Sequence, residues 1–260
     1  MKIAFIGAGR LATNLVPALK KAGCEVVEVW SKTRTSAEVL AARVGCNASW
    51  GSIENATQEA DLYVLSVKDS VLMEVITELH KGRPQALFAH TAGSMSLSLF
   101  SEAGHDRGAV FYTMQTFSKE RAVNFSRVHF FIEATLSKDC ELLQYLALRL
   151  TSPSNIHETT SSERRHLHLA AVFACNFANH CFALSDKVLR ETNLPFEALL
   201  PLIEETVQKL HDLPPAKAQT GPAIRHDENV IGLQRAMLLQ HPDLLAIYDA
   251  LTYSIQNLKN

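Results

Sequence analysis

Short apolar runs and amphipathic stretches alternate over residues 1–158. KIAFI (2–6) is a compact strand, and LATNLVPALKKAG (11–23) repeats its apolar positions every three to four residues before closing on Gly23. EVVEVW (25–30) predicts a second strand and TSAEVLAARVG (35–45) a second helix. DLYVLSV (61–67), ALFAHTA (86–92), AVFYTMQ (109–115) and VHFFIEA (128–134) add further strands, with SVLMEVITELH (70–80) as a helix among them. Strands alternating with helices of this length predict βαβ units and a mainly parallel sheet. The pattern changes in the polar segment TSPSNIHETTSSERR (151–165), beyond which no strand is predicted. Helical periodicity runs through 163–191, 196–211, 227–240 and 242–257, punctuated by prolines. The expected architecture is an α/β domain over 1–158 followed by an all-helical domain over 159–260.

Composition narrows the partners. Twenty-five basic and 27 acidic side chains leave a net charge of −2, so no global field favours nucleic acid. The longest apolar stretch, LHLAAVFACNFANHCFAL (167–184), is interrupted by His168, Asn176, Asn179 and His180. Those groups are costly in lipid, which predicts a buried helix of a soluble protein and no membrane partner. The opening MKIAFIGAGR breaks into a glycine turn and does not read as a signal peptide. Five cysteines form no C-x-x-C pair, as expected of reduced thiols in a cytoplasmic protein.

Gly7-Ala8-Gly9-Arg10-Leu11-Ala12 matches G-x-G-x-x-A, with a strand immediately before it and an amphipathic helix after. Gly7 permits the tight turn, Gly9 leaves room for a pyrophosphate, and Ala12 lets the helix approach the strand. Free N–H groups and the helix dipole favour the phosphate charge. The expected domain is therefore Rossmann-type. An NAD-binding chain places an acid about 20 residues beyond the glycines. Here that region reads Ser31, Lys32, Thr33, Arg34, two hydroxyls and two cations suited to a 2′-phosphate. Glu28 lies nearer, inside EVVEVW, and reaches a ribose only if that strand stops early. The expected cofactor is NADP, and the missing acid counts against a methyltransferase.

VWSKT and DLYVLSVKDS look like the corresponding stretches of pyrroline-5-carboxylate reductases and deazaflavin-dependent NADP reductases. Over essentially the whole chain, HTAGS (90–94), YTMQTFS (112–118) and QTGPAIRHDE (219–228) are similar to a bacterial family of predicted NADP oxidoreductases. Its members pair a Rossmann-like domain with a helical domain of poorly defined role. The resemblance implies a dinucleotide-dependent oxidoreductase, dimerisation through the helices, and cofactor contacts from Ser66, Val67, Lys68 and Asp69. The reductases' own substrate loop is not reproduced, so proline metabolism is not carried over.

Ligands of open α/β sheets bind outside the carboxyl ends of the strands. His90, ending ALFA, is a candidate acid/base beside the nicotinamide; its alternative role is to brace the following loop. Gln115 and Thr116 follow the next strand and suit a carbonyl or carboxylate. In the helical domain, Asn176 and His180 are four apart on one face, and Thr220, Arg225 and Asp227 lie on a connector, with Asp227 a helix cap. Facing a cleft between the two domains, Gln115 and Asn176 join His90 as the expected catalytic residues, and Thr116, His180, Thr220, Arg225 and Asp227 form the expected substrate set. Among 11 histidines there is no H-E-x-x-H and no Cys/His ligand pairing, so no metal is expected. The leading expectation is hydride transfer to or from a small carbonyl, imine or hydroxy compound. A dinucleotide-binding sensor without catalysis is the alternative.

Overall fold

The computed structural model describes residues 1–258. Eight strands, β1 (Lys2–Ile6), β2 (Glu25–Ser31), β3 (Asn47–Trp50), β4 (Leu62–Leu65), β5 (Leu87–His90), β6 (Gly108–Met114), β7 (His129–Ala134) and β8 (Ile156–Glu158), form one sheet. Its order is β3-β2-β1-β4-β5-β6-β7-β8, parallel except where β7 runs antiparallel to β6. Strand order reverses at β1, so the carboxyl ends of β1 and β4 flank a topological switch point.

Helices α1 (Arg10–Lys21), α2 (Arg34–Val44), α3 (Leu72–His80), α4 (Ser98–Glu102) and α5 (Ser137–Leu148) cover the sheet. One face packs Ile3, Phe5 and Val64 against Leu15 of α1, Leu40 of α2 and Leu143 of α5. The other packs Ile6, Tyr63 and Phe88 against Leu72 and Ile76 of α3 and Phe100 of α4. Central strands buried on both faces read as unbroken apolar runs, which is why they were visible in the chain's pattern.

Two strands were not anticipated. β3 (NASW) and β8 (IHE) are edge strands of four and three residues with mixed polarity. Neither carries an apolar run, and β8 lies inside the polar segment where the pattern changes. Helix α5 was also not foreseen.

Beyond the sheet the chain continues as α6 (Ser161–Ala171), a π-helical stretch Val172–Phe177, α7 (Ala178–Leu189), α8 (Leu200–Gln208), α9 (Pro215–Ala218), α10 (Glu228–Met237) and α11 (Pro242–Gln256). The chain divides into two compact units, Met1–Cys175 and Asn176–Asn260. The first thus extends past the expected boundary at residue 158 and takes in α6. Arg164 explains why: it is fully buried in the first unit and paired with Glu133 of β7.

The continuous helix Ser161–Leu189 is long and apolar enough to cross a membrane by length and composition, and it is not the buried helix expected. Leu169, Phe173 and Phe177 are more than half or about half exposed.

Candidate dinucleotide site

The turn after β1 is shaped by one close approach. Gly7 has φ +112°, and a Cβ there would lie 2.2 Å from the Ser66 carbonyl oxygen at the end of β4. Only glycine fits such a conformation and contact. Its N–H donates to the Trp30 carbonyl at 2.8 Å, and Ser66 N–H donates to the Ile6 carbonyl at 2.8 Å. The turn is therefore fastened to β2 on one side and β4 on the other. Gly9 differs: a Cβ there meets nothing nearer than 3.9 Å, so the space in front of it is open. Gly9 caps α1 without a side-chain bond, and the first turn of α1 holds no acid. The free N–H groups of that turn are available to a phosphate. Ala8 and Leu11 are half-buried, and Arg10 is exposed.

At the end of β2 the same conditions recur. Thr33 precedes α2 with its hydroxyl donating to Ser36 Oγ at 2.8 Å and accepting from no helix N–H, and the first turn carries no acid. Ser31 is buried and Lys32, Thr33 and Arg34 are exposed. Arg34 Nε donates to Glu38 at 2.8 Å, while its guanidinium lies 4.9 Å from the centre of the Trp50 ring. This pairing and stacking hold a planar cation beside the turn.

Glu28 cannot serve a ribose from its position. β2 continues to Ser31, and Glu28 is 6% exposed, accepting from Ser49 Oγ at 2.9 Å and Thr57 N–H at 2.8 Å. Its carboxylate ties β2 to β3 and the following segment.

Comparison with known proteins gives the family. Residues 2–88 match the family described as NADP oxidoreductase coenzyme F420-dependent, and residues 128–255 match Domain of unknown function (DUF2520). A solved structure from Bacteroides fragilis, designated a candidate NADP oxidoreductase, is 43% identical. The alignment covers 99% of this chain and 98% of that one, with a TM-score of 0.93. The chain belongs to this NADP oxidoreductase family.

More distant structures share the fold. A Thermotoga maritima protein is 20% identical over 98% of this chain and 96% of that one, with a TM-score of 0.70. An imine reductase from Myxococcus stipitatus, in complex with NADP+, is 16% identical over 98% and 93%, with a TM-score of 0.69. No curated protein matches the chain.

In this oxidoreductase the other candidate residues fall into separate groups. Ser66 and Val67 directly follow β4, half-buried, and Lys68 is exposed. Asp69 accepts from Ser94 Oγ at 2.5 Å, linking the loop after β4 to the loop after β5.

His90 ends β5 but has no exposed surface. Its ring stacks on Phe100 at 5.6 Å, and Nδ1 accepts from Ala92 N–H at 3.2 Å. Burial, helped by the nearby Arg164 charge, pushes its pKa down to about 3. A neutral ring with no surface does not touch a substrate in this conformation. The geometry matches the loop-bracing alternative.

Gln115 and Thr116 are exposed and line an open cleft of about 710 Å³. Gln115 Oε1 accepts from Thr116 N–H at 2.8 Å. In the second unit, Asn176 lies in the π-helical stretch and His180 in α7, both exposed. Thr220 and Arg225 are exposed on a turn in which Gly221 has φ +108°. Asp227 caps α10 by accepting from Val230 N–H at 3.3 Å, and no Arg225–Asp227 ion pair forms among the described residues.

The pair that sequence reasoning missed is Tyr112 and His168. β6 runs parallel to β5, so Tyr112, two residues before the end of β6, stands at the same carboxyl edge. Its Oη lies 3.0 Å from His168 Nδ1 of α6, and a Cβ on Gly93 would come within 2.5 Å of that nitrogen. Burial raises the Tyr112 pKa, opposed by the Arg164 charge. Arg164, one turn before His168, bonds Glu133 and the Met95 carbonyl, while Leu97 N–H donates to Ser161 Oγ at 2.9 Å. These contacts pin α6 against the loop after β5. They join residues 31 to 69 apart in sequence, a separation that no local motif announces.

Proposed function

We propose that the protein is an NADPH-dependent reductase of a small carbonyl or imine compound, or in reverse an NADP-dependent dehydrogenase of a hydroxy compound. The observation that carries this reading is the end of β2. The carboxylate nearest that end, Glu28, is spent inside the fold, and Lys32, the Glu38-paired Arg34 and a helix start with no acid in its first turn are what remains to meet the ribose. That arrangement suits a 2′-phosphate. Lys32 and Arg34 provide charge, Ser31 and Thr33 provide hydroxyls, and the turn from Gly7 to Leu11 takes the pyrophosphate. Ser66, Val67 and Lys68 border the nicotinamide half.

Bound NADPH supplies the hydride. Hydride addition to a C=O or C=N carbon leaves an oxygen or nitrogen that needs one proton. The Tyr112–His168 pair is the hydrogen-bonded acid placed at the carboxyl edge to deliver it, while His90 holds the shape of the loop. Gln115 and Thr116 are the proposed ligands of the substrate's polar group. The helical unit exposes Leu202, Leu233, Met237 and Tyr253 by 64–71%, large apolar side chains that suit burial against a second copy of the chain. Sedimentation at two concentrations tests the dimer.

The cofactor arm of the reading is tested by titrating NADPH and NADH into the wild type and the Lys32→Ala/Arg34→Ala double variant. NADPH is expected to weaken by about 100-fold and NADH only a few-fold, as for two lost charge-assisted contacts. Equal losses for both would return these residues to an ordinary solvated turn. The reaction arm is tested by NADPH oxidation against a panel of small ketones, aldehydes and imines. Tyr112→Phe or His168→Gln should then lower turnover by about 100-fold with NADPH affinity kept. Tight NADPH binding with no turnover across the panel would favour a sensor.

A further inference from the structure

The connection between β6 and β7 is longer than its geometry requires. The two strands are antiparallel neighbours, with Met114 opposite His129. Two to five residues commonly close such a pair. Here the chain runs from Gln115 to Val128 before β7 begins. It includes one 3-10 turn, Phe125–Arg127, and connections this long within a compact unit are uncommon.

The loop is fastened, and it is fastened to the helix that carries the glycine turn. Asn14 of α1 grips it twice: Nδ2 donates to the Ser118 carbonyl at 2.8 Å, and Oδ1 accepts from Val123 N–H at 3.2 Å. Phe117 and Val123 pack onto the core below, and Phe117 lies 6.2 Å from the Phe125 ring. The backbone at Ser118 is thus set against the second turn of α1.

The next residue is Lys119. It shares a cavity of about 150 Å³ with Ala8 of the glycine turn, Thr13 of α1, Thr35 and Ser36 in the first turn of α2, and Arg43 further along α2. No carboxylate lines this cavity. Among the described residues neither Lys119 nor Arg43 makes an ion pair, whereas Arg34 is matched to Glu38. An unmatched ammonium is therefore held on an anchored loop, opposite the uncapped starts of two helices, with no acid lining their shared cavity. The two cations and the helix starts there favour an anion.

The geometry points to Lys119 as a third phosphate ligand of the dinucleotide, carried by the β6–β7 loop to the 2′-phosphate alongside Lys32 and Arg34. The inference rests on the dinucleotide reading above. The 2′-phosphate is the better match than the pyrophosphate. The pyrophosphate is served by the backbone N–H groups of α1, whereas the hydroxyls lining this cavity from α2 lie just beyond the β2–α2 turn. Selectivity for NADPH would then depend on a residue far outside the βαβ unit.

Fluorescence titration of NADPH and NADH into wild type, Lys119→Ala and Lys119→Arg tests this without any substrate. Lys119→Ala is expected to bind NADPH about tenfold more weakly, as for one lost charge-assisted contact, with less than a twofold change for NADH. Lys119→Arg should recover most of the loss. Because Lys119 is exposed, the Tm of the free variants should match wild type. Unchanged NADPH affinity in Lys119→Ala overturns the inference. Equal losses for both dinucleotides overturn the assignment to the 2′-phosphate. A wild type that binds neither would instead sink the cofactor reading itself.

Discussion

Two glycine turns stand at the same edge of the sheet and use the residue for opposite ends. Gly7 follows β1, and its missing Cβ makes room for the backbone of Ser66; the space before Gly9 is left open. Gly93 follows β5 with no unusual φ, and its missing Cβ makes room for the ring of His168. The first turn leaves open the space proposed for the dinucleotide. The second is already packed by the protein's own helix, with Arg164 and Ser161 bonded to the loop and the His168 ring against Gly93. A glycine after a parallel strand therefore does not by itself mean a ligand. What lies in front of it decides.

The largest effect should come from breaking the filled turn at its anchor. Arg164→Ala leaves Glu133 half-buried without its cation and frees the Met95 carbonyl. Removing one partner of a buried pair costs about 3 to 5 kcal/mol, which urea unfolding would read directly. A loss below 1 kcal/mol would mean that α6 is held to the first unit by other contacts. Gly7→Ala should come next. It combines φ +112° with a backbone oxygen 2.2 Å from the new methyl, and the expected cost is about 3 kcal/mol together with loss of NADPH binding. Retained NADPH affinity in a folded Gly7→Ala would remove the open turn from the cofactor site.

His90 gives the filled turn a pH signature. Its folded pKa of about 3 lies below the value near 6.5 expected when unfolded, so the unfolded chain binds a proton that the folded chain excludes. The stability contributed by the buried neutral ring is complete above about pH 6.5 and is lost as pH falls toward 3. The slope is about 1.4 kcal/mol per pH unit, or about 2 kcal/mol by pH 5. His90→Asn should flatten that part of the stability profile relative to wild type. Parallel profiles would mean that the ring protonates in the folded state.

The same contrast explains what was legible in the chain. The open turn is local: Gly7 to Ala12 and Ser31 to Arg34 lie within one βαβ unit, where strand, turn and helix periods identify each role. The central strands were visible because both faces are buried. β3 and β8 were not, because short edge strands do not need an apolar run. Glu28 stands in sequence within a few residues of the ribose end, and only the pairing of β2 with β3 brings it to Ser49. The filled turn is assembled over long range. His90 was identified by its position at a strand end, but whether it meets substrate or core depends on Phe100 and Arg164. His168 looked like an interruption of an apolar stretch until α6 placed it against Gly93 and Tyr112.

The smallest expected effect separates the two turns most cleanly. Gly93→Ala drives a methyl into the His168 ring, and overpacking of this kind costs about 1 to 3 kcal/mol. His168→Ala alone gives up its bond to Tyr112, about 1 kcal/mol. In the double variant the alanine at 93 occupies space the ring has left, so the combined loss should fall short of the sum by about 1 kcal/mol. No such partner exists for Gly7, where the obstructing atom is a backbone carbonyl that no side-chain substitution removes. Strict additivity at Gly93 and His168 would show that the loop after β5 keeps its shape without the helix. The glycine there would then need a reason outside the chain, as Gly9 does, with nothing nearer than 3.9 Å to its missing Cβ.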